Sequence, residues 1–176
     1  MSYDVGIIGA GYVGLPLSTT FAEAGCRVLL VDVVQDVVDA LNRGESHIED
    51  VAGERLAPLV EQNLIRATTD YGELSDADAI LIALPTPLSR QREPDLSIVE
   101  AAARRLAGVL REGQLVVLES TTWPGTTREV LQPILEEGSG LRAGEGFFRA
   151  MSPERVDPGR EDWTTKTTPK VLGGIT

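Results

Sequence analysis

Short apolar runs rich in Val, Ile and Leu recur along the chain, separated by longer stretches whose apolar residues return every three or four positions. Residues 4–9 (DVGIIG), 27–32 (RVLLVD), 78–84 (DAILIAL), 114–120 (QLVVLES) and 146–152 (GFFRAMS) read as strands, with 64–70 (LIRATTD) a weaker member. Their near-continuous apolar character is what a strand needs when helices cover both faces of its sheet. Helical spacing follows the first strand in YVGLPLSTTFAEAG and appears again over 34–43 and 53–63. In VEAAARRLAGVLREG, Val99, Ala103, Leu106 and Leu110 share one face. Ser97 with Glu100 forms a capping pair before that segment, and Gly113 marks its stop. Thr126 with Glu129 repeats the capping pattern ahead of VLQPIL, where Pro133 predicts a kink. Alternation of this kind predicts an α/β fold of the Rossmann type: a doubly wound, mostly parallel sheet with helices on both faces. Residues 85–95 (PTPLSRQREPD) form the one long unpatterned loop, and long loops in compact domains are often functional.

Composition narrows the classes of function. The 176 residues suffice for one domain, taken as 1–176, and not for two comfortable ones. A net charge of −11 argues against a nucleic-acid partner, whose phosphates require clustered Lys and Arg. It does not argue against a phosphate held by backbone N–H groups. No apolar run approaches a membrane span, and no signal-peptide pattern opens the chain. The single cysteine, Cys26, excludes an internal disulfide and fits a reducing cytoplasm. It sits where the first helix hands over to the second strand, and reads as a structural thiol. His47, the only histidine, has no partners at metal-ligand spacing, so no metal is assigned.

The chemistry begins in VGIIGAGYVG. A glycine triplet alone is a weak signal, but Gly9, Gly11 and Gly14 directly follow an apolar strand and open a helix. Gly9 suits a tight turn, Gly11 lets the backbone approach a pyrophosphate, and Gly14 lets helix and strand pack closely. Tyr12 and Val13 lie between them, in the turn that would carry the phosphates. Asp32 ends the second strand, where a carboxylate can hold a ribose 2′-hydroxyl and repels a 2′-phosphate. The pattern therefore implies NAD rather than NADP; Gln35 and Asp36 supply no basic group, and Arg43 lies a helix away.

Further segments are more specific. ALPTPL (83–88), LESTTWPGTT (118–127) and MSPERVDPG (151–159), together with GIIGAGYVGLPLS and LNRGESHIED, resemble the N-terminal NAD-binding domain of the UDP-sugar 6-dehydrogenases. The resemblance covers essentially the whole chain in the family's order. It implies oxidation of the sugar C6 hydroxymethyl to a carboxylate in two NAD-dependent steps. It implies roles for Pro85, Thr86, Ser120 and Thr121 at strand ends beside the cofactor, and catalytic roles for Thr121 and Glu154. The family's glutamate at the position of Glu154 serves hydrolysis of a thioester and lies near cofactor and substrate. Arg155 is a candidate phosphate contact. The family's nucleophilic cysteine, with its supporting lysine and asparagine, follows the position of Thr176, so the resemblance implies an excised domain that binds NAD without full turnover. It also implies a UDP-sugar partner and a homodimeric full-length protein. The SPERVDPG wording is closer to the N-acetylhexosamine branch than to the glucose branch. A stand-alone dinucleotide-binding regulatory module is the alternative, and a hydroxyacid dehydrogenase is a third reading weakened by these motifs. No role is assigned to Trp123, Arg90 or Arg92.

Overall fold

The apolar runs become strands because each has both faces to bury. In the structure, a computed structural model that describes residues 2–88, 94–155 and 167–175, they form one seven-stranded sheet. In chain order these are β1 (Tyr3–Ile8), β2 (Val28–Val31), β3 (Ile65–Thr68), β4 (Ala77–Ile82), β5 (Leu115–Leu118), β6 (Phe148–Met151) and β7 (Gly173–Ile175). The sheet order is β3-β2-β1-β4-β5-β6-β7. All pairs are parallel except β6 with β7, which is antiparallel. The fold is therefore the expected Rossmann-type α/β layering.

Among the described residues, five α-helices cover the two faces: α1 (Gly14–Glu23), α2 (Gln35–Asn42), α3 (Gly53–Glu61), α4 (Ser97–Ala107) and α5 (Gln132–Ser139). Successive residues of each strand serve opposite layers. Leu29 and Val31 join Ile80, Ile82, Val116 and Leu118 beneath α4 and α5, with Val99, Leu106 and Leu135 packed on them. Val28 and Leu30 join Val5, Ile7, Leu81 and Val117 beneath α1 to α3, with Leu15, Leu41 and Leu56. All four residues of β2 are fully buried, each contributing about 1.5–3 kcal/mol of transfer free energy. Cys26 is half-buried against the second layer, as a structural thiol should be.

The boundaries differ from the sequence reading in instructive places. α4 stops at Ala107, with Gly108 as its C-terminal cap, rather than running to Gly113. Leu110 still reaches the core, which is why the helical period continues past the helix. Gly113, at φ +85°, instead turns the chain into β5 and donates its N–H to Gly146. Ser97 does not cap α4; the Asp95 carboxylate accepts the Ser97 N–H at 2.9 Å, and this bond holds Asp95 below the usual carboxylate range. Thr126 does not cap either, since its hydroxyl donates to the Trp123 carbonyl at 2.8 Å. The segment after it is a π-helical turn, Thr127–Leu131, and Pro133 falls in the first turn of α5 behind it. The π turn runs straight into α5, so Pro133, which has no N–H to give, sits where the wider turn passes into the α-helix. The sequence also gives no sign of the 3₁₀ turn Tyr71–Asp76 that leads into β4. Arg90 and Arg92 lie outside the described residues.

One buried side chain ties the lower edge of the sheet together. The Gln114 amide donates to the carbonyls of Leu74 (2.9 Å) and Ala77 (2.6 Å), while its oxygen accepts the Arg111 N–H at 2.7 Å. Gln114 is fully buried. Gln114→Leu removes three hydrogen bonds but orphans only the Arg111 N–H, because the Leu74 carbonyl keeps the Ala77 N–H and the Ala77 carbonyl keeps the Arg111 guanidinium. It is expected to lower unfolding stability by about 1–3 kcal/mol, read by urea denaturation of the chain.

Candidate functional site

The turn between β1 and α1 is set by close backbone approach. Gly9 has φ +103°, and a Cβ on it would stand 2.5 Å from the carbonyl oxygen of Ala83. A Cβ on Gly14 would overlap the carbonyl oxygen of Gly9 itself. Gly11 is the opposite case, since a Cβ there would meet nothing within 4 Å. The first two glycines are thus required by the protein's own packing. The third faces open space. Tyr12 stands 60% exposed at the tip of the turn, and Val13 precedes α1. The N–H groups of the first helical turn have no carbonyl behind them within the helix and aim at the same region.

Asp32 closes the turn from the side. Its N–H donates to Thr68, holding the end of β2 to β3. One carboxylate oxygen accepts the Ala10 N–H at 2.9 Å and the other accepts the Val34 N–H at 3.0 Å. The acid is thereby fixed at the mouth of the glycine turn, half-buried. Arg43, just past α2, pairs with Glu45 at 2.8 Å instead.

Beside Asp32 opens a largely apolar crevice of about 310 Å³, lined by Val33, Tyr71, Leu84, Ile98, Ala102 and Arg105 among others. Arg105 lies over the Tyr71 ring, 3.9 Å from its centre. Burial pushes the Tyr71 phenol above its ordinary value, and Arg105 partly offsets this, so at neutral pH Tyr71 is an uncharged wall. The crevice lies where β1 and β4 adjoin and the strand order reverses, the position at which open α/β sheets bind ligands.

The far half of the cleft is built by the ends of β4 and β5. The Ser120 hydroxyl accepts the Leu84 N–H at 3.0 Å and donates to the Ile82 carbonyl at 3.2 Å, and the residue is buried. Its hydroxyl is therefore a bracket between the two strand ends. The Thr86 hydroxyl, expected to face the cofactor beside Pro85, donates to the Thr121 carbonyl at 2.7 Å. It ties the two loops and retains only its acceptor capacity for a ligand. Thr121 itself is exposed. Thr122, the third hydroxyl residue that the sequence offers at this strand end, has its Oγ1 buried without a hydrogen-bond partner among the described residues. A buried orphan hydroxyl costs free energy unless something else satisfies it, and the adjacency of three hydroxyl residues hid which one is oriented. Trp123 is 40% exposed at the rim.

Glu154 follows β6 on the same edge. Its N–H donates to the Glu119 carbonyl at 3.4 Å, and one carboxylate oxygen accepts the Arg155 N–H at 2.7 Å. Lys170, three residues before β7, reaches the other oxygen at 3.4 Å. Arg155 is exposed.

A glycine turn, an acid at the end of the second strand and an apolar crevice at the switch point define a dinucleotide-binding domain. Residues 3–176 match the NAD binding domain of the UDP-glucose/GDP-mannose dehydrogenase family, and the chain belongs to that family. It is 42% identical over 162 residues to the UDP-glucose 6-dehydrogenase AglM of Haloferax volcanii, covering 89% of this chain and 37% of that protein. It is 40% identical over 181 residues to the UDP-N-acetyl-D-mannosamine dehydrogenase of Salmonella typhi, covering 98% of this chain and 42% of that protein. Among solved structures, the NDP-N-acetyl-D-galactosaminuronic acid dehydrogenase of Methanosarcina mazei Go1 superposes with a TM-score of 0.89 at 36% identity, over 99% of this chain and 39% of that one. The chain thus spans about two-fifths of the length of these relatives. Among the described residues, no helix is long and apolar enough to cross a membrane.

The two kinds of glycine are separable by experiment. Gly11→Ala is expected to keep the thermal transition of the wild type and to weaken NAD binding by about tenfold or more, through intrusion on the pyrophosphate. Gly14→Ala is expected to lower the transition itself. Calorimetric melting and NAD titration of both variants check the pair.

Proposed function

We propose that this chain is the cofactor-holding part of an enzyme that oxidises the C6 hydroxymethyl group of a UDP-sugar to a carboxylate, consuming two NAD. The observation that carries the reading is the Asp32 clasp beside the apolar crevice, which suits an adenosine with a free 2′-hydroxyl. The relatives named above, dehydrogenases of UDP-glucose and of UDP-N-acetylhexosamine, extend it to nucleotide sugars. The SPERVDPG segment inclines the choice towards an N-acetylhexosamine.

In this reading Gly9, Gly11, Tyr12, Val13 and Gly14 hold the pyrophosphate. Asp32 holds the adenosine ribose, and Pro85, Thr86, Ser120 and Thr121 shape the nicotinamide side. NAD supplies the hydride acceptor for both oxidations. Thr121, with the orphan hydroxyl of Thr122 beside it, orients the reacting oxygen. Glu154 serves the last step, the hydrolysis of a thioester to a cysteine supplied from outside this chain. It takes a proton from a water as the water oxygen bonds to the carbonyl carbon. The carbon–sulfur bond then breaks, and the departing thiolate receives that proton. A general base so placed typically contributes 10²–10⁴-fold in rate. The 176 residues alone hold the cofactor without completing this sequence, and the full-length protein acts as a homodimer.

Two measurements test the proposal. Calorimetric titration of the chain should show NAD bound at least about tenfold more tightly than NADP. Asp32→Ala should weaken NAD by about tenfold, or roughly 1.4 kcal/mol. The full-length protein should release two NADH per UDP-sugar carboxylate formed. NAD binding without any oxidation of nucleotide sugars would instead identify a dinucleotide-binding regulatory module.

A further inference from the structure

Glu119, the residue that follows β5, is buried with 4% of its side chain exposed. Its partner is Lys170, whose ammonium lies 2.7 Å away. Lys170 belongs to the segment leading into β7 and is itself 20% exposed. The same ammonium lies 3.4 Å from a carboxylate oxygen of Glu154, which is 12% exposed. Glu119 also grips Glu154 through the backbone, its carbonyl accepting the Glu154 N–H. One buried acid thus holds Glu154 at two points, directly by the main chain and through a lysine by the side chain.

We propose that Lys170, seated on Glu119, is the positioning residue that aims the Glu154 carboxylate for its work as a general base. The inference rests on the reading of Glu154 given under the proposed function. The physical case is one of geometry. A glutamate has three rotatable side-chain bonds and, at a strand end, several rotamers open to it. General-base work requires its oxygen to stay within hydrogen-bond reach of one water. The Arg155 N–H engages one oxygen and the Lys170 ammonium the other, so that both ends of the carboxylate are fixed. Lys170 needs an anchor of its own, because a four-carbon stem is flexible. The buried Glu119 provides it. A purely structural tie between β5 and the segment before β7 needs only Glu119 and Lys170. The third member, Glu154, is what such a role leaves unexplained.

The experiment uses the full-length protein with NAD and UDP-sugar. Lys170→Met alone strands a buried Glu119 and is expected to impair folding, so the informative variant is Glu119→Gln/Lys170→Met, which removes both charges of the pair. Its expected behaviour is a wild-type thermal transition, wild-type NAD affinity, KM for the sugar within about threefold, and kcat lowered by about tenfold or more, a part of the general-base contribution. Intact-mass measurement should show the covalent sugar–enzyme species accumulating in this variant and not in the wild type. Lys170→Arg should restore much of kcat and abolish the accumulation. Wild-type kcat in the double variant, with no covalent species accumulating, overturns the proposal. So does a double variant that fails to fold, which would mark the pair as structural. Wild-type protein that forms no carboxylate overturns the parent reading along with this one, and is recognised because it fails before any substitution is made.

Discussion

Gly14 lies against the carbonyl oxygen of Gly9 so closely that no side chain fits between them. That contact draws the start of α1 onto the end of β1, and the geometry of the cleft follows from it. The helix N-terminus is brought over the sheet edge, the turn between them is forced into a positive-φ residue at Gly9, and Gly11 is left facing open space. Asp32 can then reach the Ala10 N–H from the neighbouring strand. Without the close approach, the acid and the helix end would be separate features of the surface, each too weak to select a ligand.

The layering of the sheet was legible because burial on both faces leaves a simple trace. Runs such as VLLV in β2 have no polar position to spare, and the alternation of such runs with helical spacing admits few folds. The glycine turn and Asp32 were legible for a related reason: each demands one residue type at one distance from a strand. Helix ends were read less well. Ser97 and Thr126 carry the right side chains for caps, yet the N-cap position of α4 falls to Leu96, with Asp95 accepting the Ser97 N–H, and the Thr126 hydroxyl donates to the Trp123 carbonyl. Several short polar residues compete for each helix end, and three-dimensional placement decides among them.

The far side of the cleft was the hardest to read. In STT, three hydroxyls stand in a row and the sequence cannot say which is turned inwards. The structure sets Ser120 between the strands, leaves Thr121 exposed and buries the Thr122 oxygen without a partner. Glu119 and Lys170 were silent for a different reason. They lie 51 positions apart in the chain, and an ion pair of that span leaves no local pattern. The Tyr71–Arg105 wall is similar, since a 3₁₀ turn and a helix contribute one residue each.

Ser120 fastens the end of β4 to the end of β5, and the Thr86–Thr121 bond repeats the fastening one step further out. The loops that follow β4 and β5 are therefore joined at two points, so a substitution that removes one of the two hydroxyls leaves the other bond still spanning the gap between the strand ends.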